Sequence, residues 1–181
     1  NFKDTHWQPF YVPFQTPYET IKDDFDVAYI NNVHQYDYDD NGTTDETLIE
    51  AIKIKDGTLK ANYPYLIRAK EIGNMTISIP NATIYATEEN SIDCSSVFDT
   101  YTFTGIYEAT DFPLNEGYYT LGDGQWTPIT DDTALGAFRF YMKIESRGIE
   151  DKPQALSIRM RIIGDDEEEG GGTTSVEMAT I

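Results

Sequence analysis

With 181 residues, 39% of them hydrophobic, the chain has material for one ordinary domain with its own core. Thirteen Lys and Arg against 32 Asp and Glu give a net charge of −19, a field that repels phosphate backbones and anionic bilayers and so argues against nucleic acid or acidic lipid as partner. No apolar run approaches the roughly 18 residues of a membrane span, so direct membrane insertion is not expected.

The first β-rich stretches are "WQPFYVPF" from Trp7 and "DFDVAYI" from Asp24. In "DETLIEAIKIKDG", Leu48, Ile49, Ile52 and Lys55 have the spacing of a short amphipathic turn, but Ile52 and Ile54 against Lys53 and Lys55 alternate, and a strand is the reading taken. "LKANYPYLIRAK", residues 59–70, parses as a turn and strand entry: Asn62 tolerates the left-handed conformation, Pro64 biases Tyr63 towards extended geometry, and a strand mixed on both faces follows. Alternation then predicts strands at "MTISI", "ATIYAT" and "YTFTGIY", the last with Tyr101, Phe103 and Tyr107 on one side. "GYYTLGDGQWTPI" reads as a hairpin about its Asp-Gly turn.

Two late segments carry the cleanest two-residue period. Phe138, Phe140, Met142 and Ile144 alternate with polar residues in "AFRFYMKIE", and Leu156, Ile158, Met160 and Ile162 do the same in "ALSIRMRII". The turn-rich "SRGIEDKPQ" between them predicts antiparallel neighbours. About nine or ten short strands and almost no helix predict an all-β fold, an antiparallel β-sandwich, with a jelly-roll-like or partly open barrel arrangement as the alternative. Residues 1–164 are expected to form this single domain, and 165–181, "DDEEEGGGTTSVEMATI", an acidic Gly-rich tail or linker. The start, "NFKDTHWQPF", lacks Met and the cationic and apolar regions of a signal peptide, so the chain reads as cut from a longer protein.

Chemistry-bearing groups are sparse. In "DYDDNGTTDE", Asp37, Asp39, Asn41 and Asp45 have the spacing of the front of a calcium loop, but Leu48 stands where a bidentate Glu should close it. A solvated Asn-Gly turn is therefore the expectation, with no metal and no cofactor. His6 and His34 are the only histidines and stand in no nucleophile elbow; the single Cys94, beside Asp93, is read as an inert thiol. Acidic pairs are too many to single one out for glycosidic acid–base work. Among 13 Tyr, nine Phe and two Trp, Trp7 and Trp126 are the candidate platforms for stacking a sugar ring, weighed against packing in the core or its rim. Asn41, Asn74 and Asn81 head N-glycosylation triplets, which would mean nothing in a bacterium.

The ordered landmarks "HWQPFYVPF", "LKANYPYLIRAK", "YTFTGIYE", "YYTLGDGQW" and "LGAFRFYMKI", spanning residues 6–144, resemble a β-rich module of Bacteroidetes surface proteins. That module is often found after leucine-rich repeats of the BspA-like type. The chain departs from it at Asn62, where glycine is usual, and at Ile106, where Thr is expected. The resemblance implies an extracytoplasmic, secreted or surface-displayed, noncatalytic accessory domain of adhesion type, meeting a protein, a glycan or a neighbouring domain of its own chain. It also gives "DTA" a meaning: Thr133 resembles an O-glycosylation acceptor of exported Bacteroidetes proteins. Carbohydrate binding through exposed aromatics is the alternative reading, and a glycan-active enzyme domain the third.

Overall fold

The structure is a computed structural model that describes residues 2–42, 44–96, 98–114, 116–130, 134–146 and 157–165. Twelve strands appear among these residues: β1 (Gln8–Phe10), β2 (Thr16–Pro17), β3 (Phe25–Tyr36), β4 (Glu46–Lys53), β5 (Thr58–Leu59), β6 (Tyr65–Ala69), β7 (Ser91–Ser95), β8 (Asp99–Ile106), β9 (Tyr118–Gly122), β10 (Gln125–Pro128), β11 (Arg139–Ser146) and β12 (Ser157–Ile163). One five-stranded sheet has the order β1-β6-β3-β4-β12 and a second the order β10-β9-β11-β8-β7, while β2 and β5 make a two-stranded ribbon. The fold is an all-β antiparallel sandwich rather than a closed barrel, since each large sheet ends in two edge strands. No helix of the described residues is long and apolar enough to cross a membrane.

Alternation builds the interior. On the first sheet Ala28, Ile30, Ile49, Ala51 and Leu66 face Phe103, Leu121, Trp126, Phe140 and Met142 of the second. β3 would lose this register halfway without a bulge: Ile30 pairs with Ala51 but Asn32 with Glu50, so Asn31 is extra and Val33 returns to the inner face. Two polar latches then tie the sheets. Thr47 Oγ1 and Tyr101 Oη are 2.9 Å apart, and the Gln35 amide donates to the Asp99 carboxylate while accepting from the Phe98 and Asp99 N–H groups at 3.0 and 3.1 Å. Burial pushes the Asp99 carboxyl above its ordinary range, and the Gln35 bond offsets only part of that.

An ionic cluster closes the sandwich near the start of β3. Asp26, 4% exposed, meets Lys53 at 3.2 Å and Arg68, whose guanidinium also binds Asp165 at 2.7 and 3.0 Å. Burial raises the Asp26 carboxyl, but the hydrogen bonds and charges of Arg68 and Lys53 prevail and hold it below the usual carboxylate range. The first acid of the Gly-rich tail thus belongs to the folded body. Residues 166–181 lie outside those described.

Four expectations are corrected. β11 and β12 are not neighbours: β11 pairs with β8 and β9, whereas β12 runs parallel to β4 on the other sheet. From Phe140 on β11 and from Ile158 on β12 the alternation is present, but the buried stripe of β12 faces the same interior from the opposite side, and Leu156 lies outside the described residues. Phe138 is not on the dry face; it precedes β11 at φ 61° and is 53% exposed. "MTISI" keeps its alternation without a ladder, resting Met75 and Ile77 on the outer face of the first sheet as an extended strap. "ATIYAT" is likewise no strand, and Ile84 and Tyr85 are exposed. By contrast the Asp-Gly hairpin forms as expected, Asp123 and Gly124 both at positive φ between Gly122 and Gln125.

Candidate functional site

The outer face of the first sheet carries a second apolar layer: Phe25, Val27, Tyr65, Ile67 and Ala69, covered by Tyr18, Ile21 and Leu59. Where this cover stops, an open groove of about 280 Å³ remains. Its apolar wall is Tyr29, Ile54, Tyr63 and Tyr65, and its rim is Asp56, Thr58 and Lys60. Tyr29 and Tyr65 are register partners on β3 and β6, so strand pairing sets two of the rings side by side. Tyr63 leans on Tyr65 with centroids 4.9 Å apart at 50°. The third ring arrives through the turn that opens β6.

That turn is held by unusual backbone. Asn62 sits at φ 55°, the left-handed conformation read from sequence. Its side chain does what glycine could not: Nδ2 donates to the Tyr85 and Ala86 carbonyls at 3.2 and 3.0 Å, and Oδ1 accepts from the Tyr107 hydroxyl. The segment at Tyr85 and Ala86 and the residue after β8, Tyr107, are thereby pinned to the turn that carries Tyr63. Lys60 donates its backbone N–H to Tyr65 Oη at 3.0 Å and holds its ammonium 5.7 Å from the Tyr63 ring. Burial raises both the Tyr63 and Tyr65 phenols above their ordinary pKa, so they present neutral O–H groups.

The tryptophans named from sequence are elsewhere and closed off. Trp126 is 1% exposed, edge-on to Phe103 at 5.8 Å, and Trp7 is 7% exposed with the Arg68 guanidinium 4.8 Å over its ring. Neither offers a free face to a sugar. The rings open to a partner are tyrosines instead, half-buried in the groove at Tyr29 and Tyr63 and exposed in a strip along β3 and its loop, where Tyr36 and Tyr38 lie 5.9 Å apart and 3° from parallel beside His34. Tyr38 is 68% exposed. The bulge at Asn31 put this strip on the outer face, which the sequence pattern did not reveal.

Three of the four calcium-loop candidates converge. Asp37, Asp39 and Asp45 bring carboxylate oxygens within 4.8 Å of one another. Asp37 already uses both oxygens on the Asn41 and Gly42 N–H groups at 3.1 and 2.8 Å, and the Asn41 amide donates to Asp39. Burial raises the Asp37 carboxyl, yet those N–H bonds hold it below the ordinary range. The twelfth position, Leu48, is committed to β4 opposite His34. A second gathering, Asp4, His6 and Asp123, was not anticipated, because it joins the N-terminal segment to the distant β9–β10 turn. His6 keeps Asp4 at 3.5 Å and His34 keeps Glu50 at 4.0 Å. Cys94 lies in β7 with its thiol pKa raised by burial and then by Asp93. Thr133 lies outside the described residues.

Fold and site together define an all-β sandwich domain with an open tyrosine groove on one outer face. No family model matches the chain, and no curated protein and no solved structure matches it.

Proposed function

We propose that the chain is a noncatalytic accessory module of adhesion type, carried by a secreted or surface-displayed bacterial protein, that meets its partner through the outer face of the first sheet. The observation that carries this reading is the groove. Its Tyr29 and Tyr63 rings are half-buried beside exposed Asp56, Thr58 and Lys60, which is the mixed lining of a recognition surface. The resemblance of the landmarks over residues 6–144 to the Bacteroidetes module supports the location and the accessory role. A charge of −19 directs the search to basic or neutral partners.

The test is binding of the whole chain to immobilised extracellular-matrix proteins, glycoproteins and the surface of intact bacteria, with Tyr38→Ala and Lys60→Ala beside wild type. Saturable binding weakened by either substitution is expected. The absence of binding to every probe would sink the reading. Carbohydrate binding is a second reading, favoured by the chemistry of the same groove.

A further inference from the structure

We propose that the groove formed by Tyr29, Tyr63, Tyr65, Asp56, Thr58 and Lys60 holds a single neutral pyranose ring at the end or branch of a glycan. This rests on the interaction-module reading and names its ligand class. A pyranose has an apolar C–H face and a rim of hydroxyls. The groove supplies both complements: an apolar lining with the half-buried rings of Tyr29 and Tyr63, then a carboxylate acceptor at Asp56, an ammonium donor at Lys60 and a hydroxyl of either kind at Thr58.

Size and charge narrow the choice. At about 280 Å³ the groove is at the lower edge of ligand clefts, roughly 300–1,000 Å³, which suits one ring more than a chain laid along it. The single ammonium of Lys60 is balanced by Asp56, and the net charge of −19 disfavours uronic and sialic acids. The site is also built before anything binds. Tyr65 is buried with its hydroxyl accepting from Lys60 N–H, and Tyr63 is held between Asn62 at φ 55° and Pro64. Little ordering cost is left for the ligand to meet.

Saturation-transfer NMR on the whole chain tests this, using methyl β-D-galactopyranoside, methyl α-D-mannopyranoside and N-acetyl-D-glucosamine, with N-acetylneuraminic acid as the anionic contrast. Transfer from tyrosine rings to at least one neutral sugar is expected. Tyr63→Ala should weaken that sugar's binding by about tenfold or more, and Tyr63→Phe, which keeps the ring, should stay within about threefold of wild type. Asp56→Ala changes an exposed residue; it should weaken binding several-fold with an unchanged thermal transition, so that loss of fold is not the cause. No transfer to any neutral sugar, a preference for the anionic one, or a sugar bound equally by wild type, Tyr63→Ala and Asp56→Ala would each overturn the inference. If the chain ignores sugars yet still binds matrix proteins, only the saccharide assignment falls; if it binds nothing, the module reading falls with it.

Discussion

The two faces of the first sheet are both apolar, but they are covered by different means. Inside, Ala28, Ile30, Ile49 and Leu66 meet a second ladder of strands, and the contact is sealed by aromatic rings at edge-to-face angles such as Phe103 on Phe140, 6.2 Å apart. Outside, Phe25, Val27 and Ile67 meet a 3₁₀ turn at Tyr18–Thr20, a two-stranded ribbon and an extended strap. A second sheet covers continuously because its side chains repeat at the spacing of the first. Irregular chain has no such repeat, so its cover has gaps, and the tyrosine groove is one of them.

That comparison is best broken at its strongest point. Phe103→Ala should cost about 3–5 kcal/mol, the range for emptying an aromatic site in a packed core, read by urea unfolding. A loss of only about 1 kcal/mol would mean that the inner face is no better sealed than the outer. Next comes the ionic end of the sandwich, where Asp26→Asn removes the carboxylate that Lys53 and Arg68 share and leaves Asp165 at 3.7 and 2.7 Å from them. We expect a loss of about 3 kcal/mol. Because the folded carboxyl is held below the usual range, its contribution is complete above about pH 4 and lost as pH falls through that lower value. The difference between wild type and Asp26→Asn should therefore be level from neutral to mildly acid pH and shrink below it.

Gly105→Ala sharpens the comparison further, since a methyl there would stand 2.2 Å from the Tyr11 ring. The ring packs flat on the glycine of β8, and overpacking should cost about 2 kcal/mol in thermal or urea unfolding. The smallest effect belongs to the outer layer: Asn62→Gly keeps the left-handed backbone and loses only the side-chain bonds to Tyr85, Ala86 and Tyr107, for about 1 kcal/mol. Asn62→Ala should cost more, because it loses the bonds and strains the backbone as well. No loss for Asn62→Gly would show that the amide contributes nothing, and equal losses for the two would show that the left-handed backbone adds nothing.

Much of the fold was legible in the chain. β4 forms the strand read from its alternation, but in the opposite phase at its end: Thr47, Ile49, Ala51 and Lys53 are buried while Ile52 is half-exposed, because Lys53 turns inward to Asp26. The Asp-Gly hairpin and the left-handed Asn62 were readable because both depend on local backbone sterics. The site was less legible. Trp7 and Trp126 looked like platforms by composition, but large rings bury the most area and so are drawn into the core. Tyr63 and Tyr65 were visible in "LKANYPYLIRAK", yet nothing local said that Tyr29, Ile54 and Asp56 would join them. Phe138 misled for a related reason: it continues the period of β11 on paper, while the backbone turns to φ 61° one residue before the ladder begins.

By itself, then, the sequence determined which residues alternate, which turns close, and that the product is an acidic all-β sandwich. Those properties follow from torsional preferences and from apolar side chains within a few positions of one another. Only the tertiary structure decided that β12 runs parallel to β4, that the bulge at Asn31 turns His34 and Tyr36 outward, and that three tyrosines frame an open groove. An alternating strand specifies a wet side and a dry side but not its neighbour, because every backbone offers the same donors and acceptors; the neighbour is chosen by the burial summed over the whole chain.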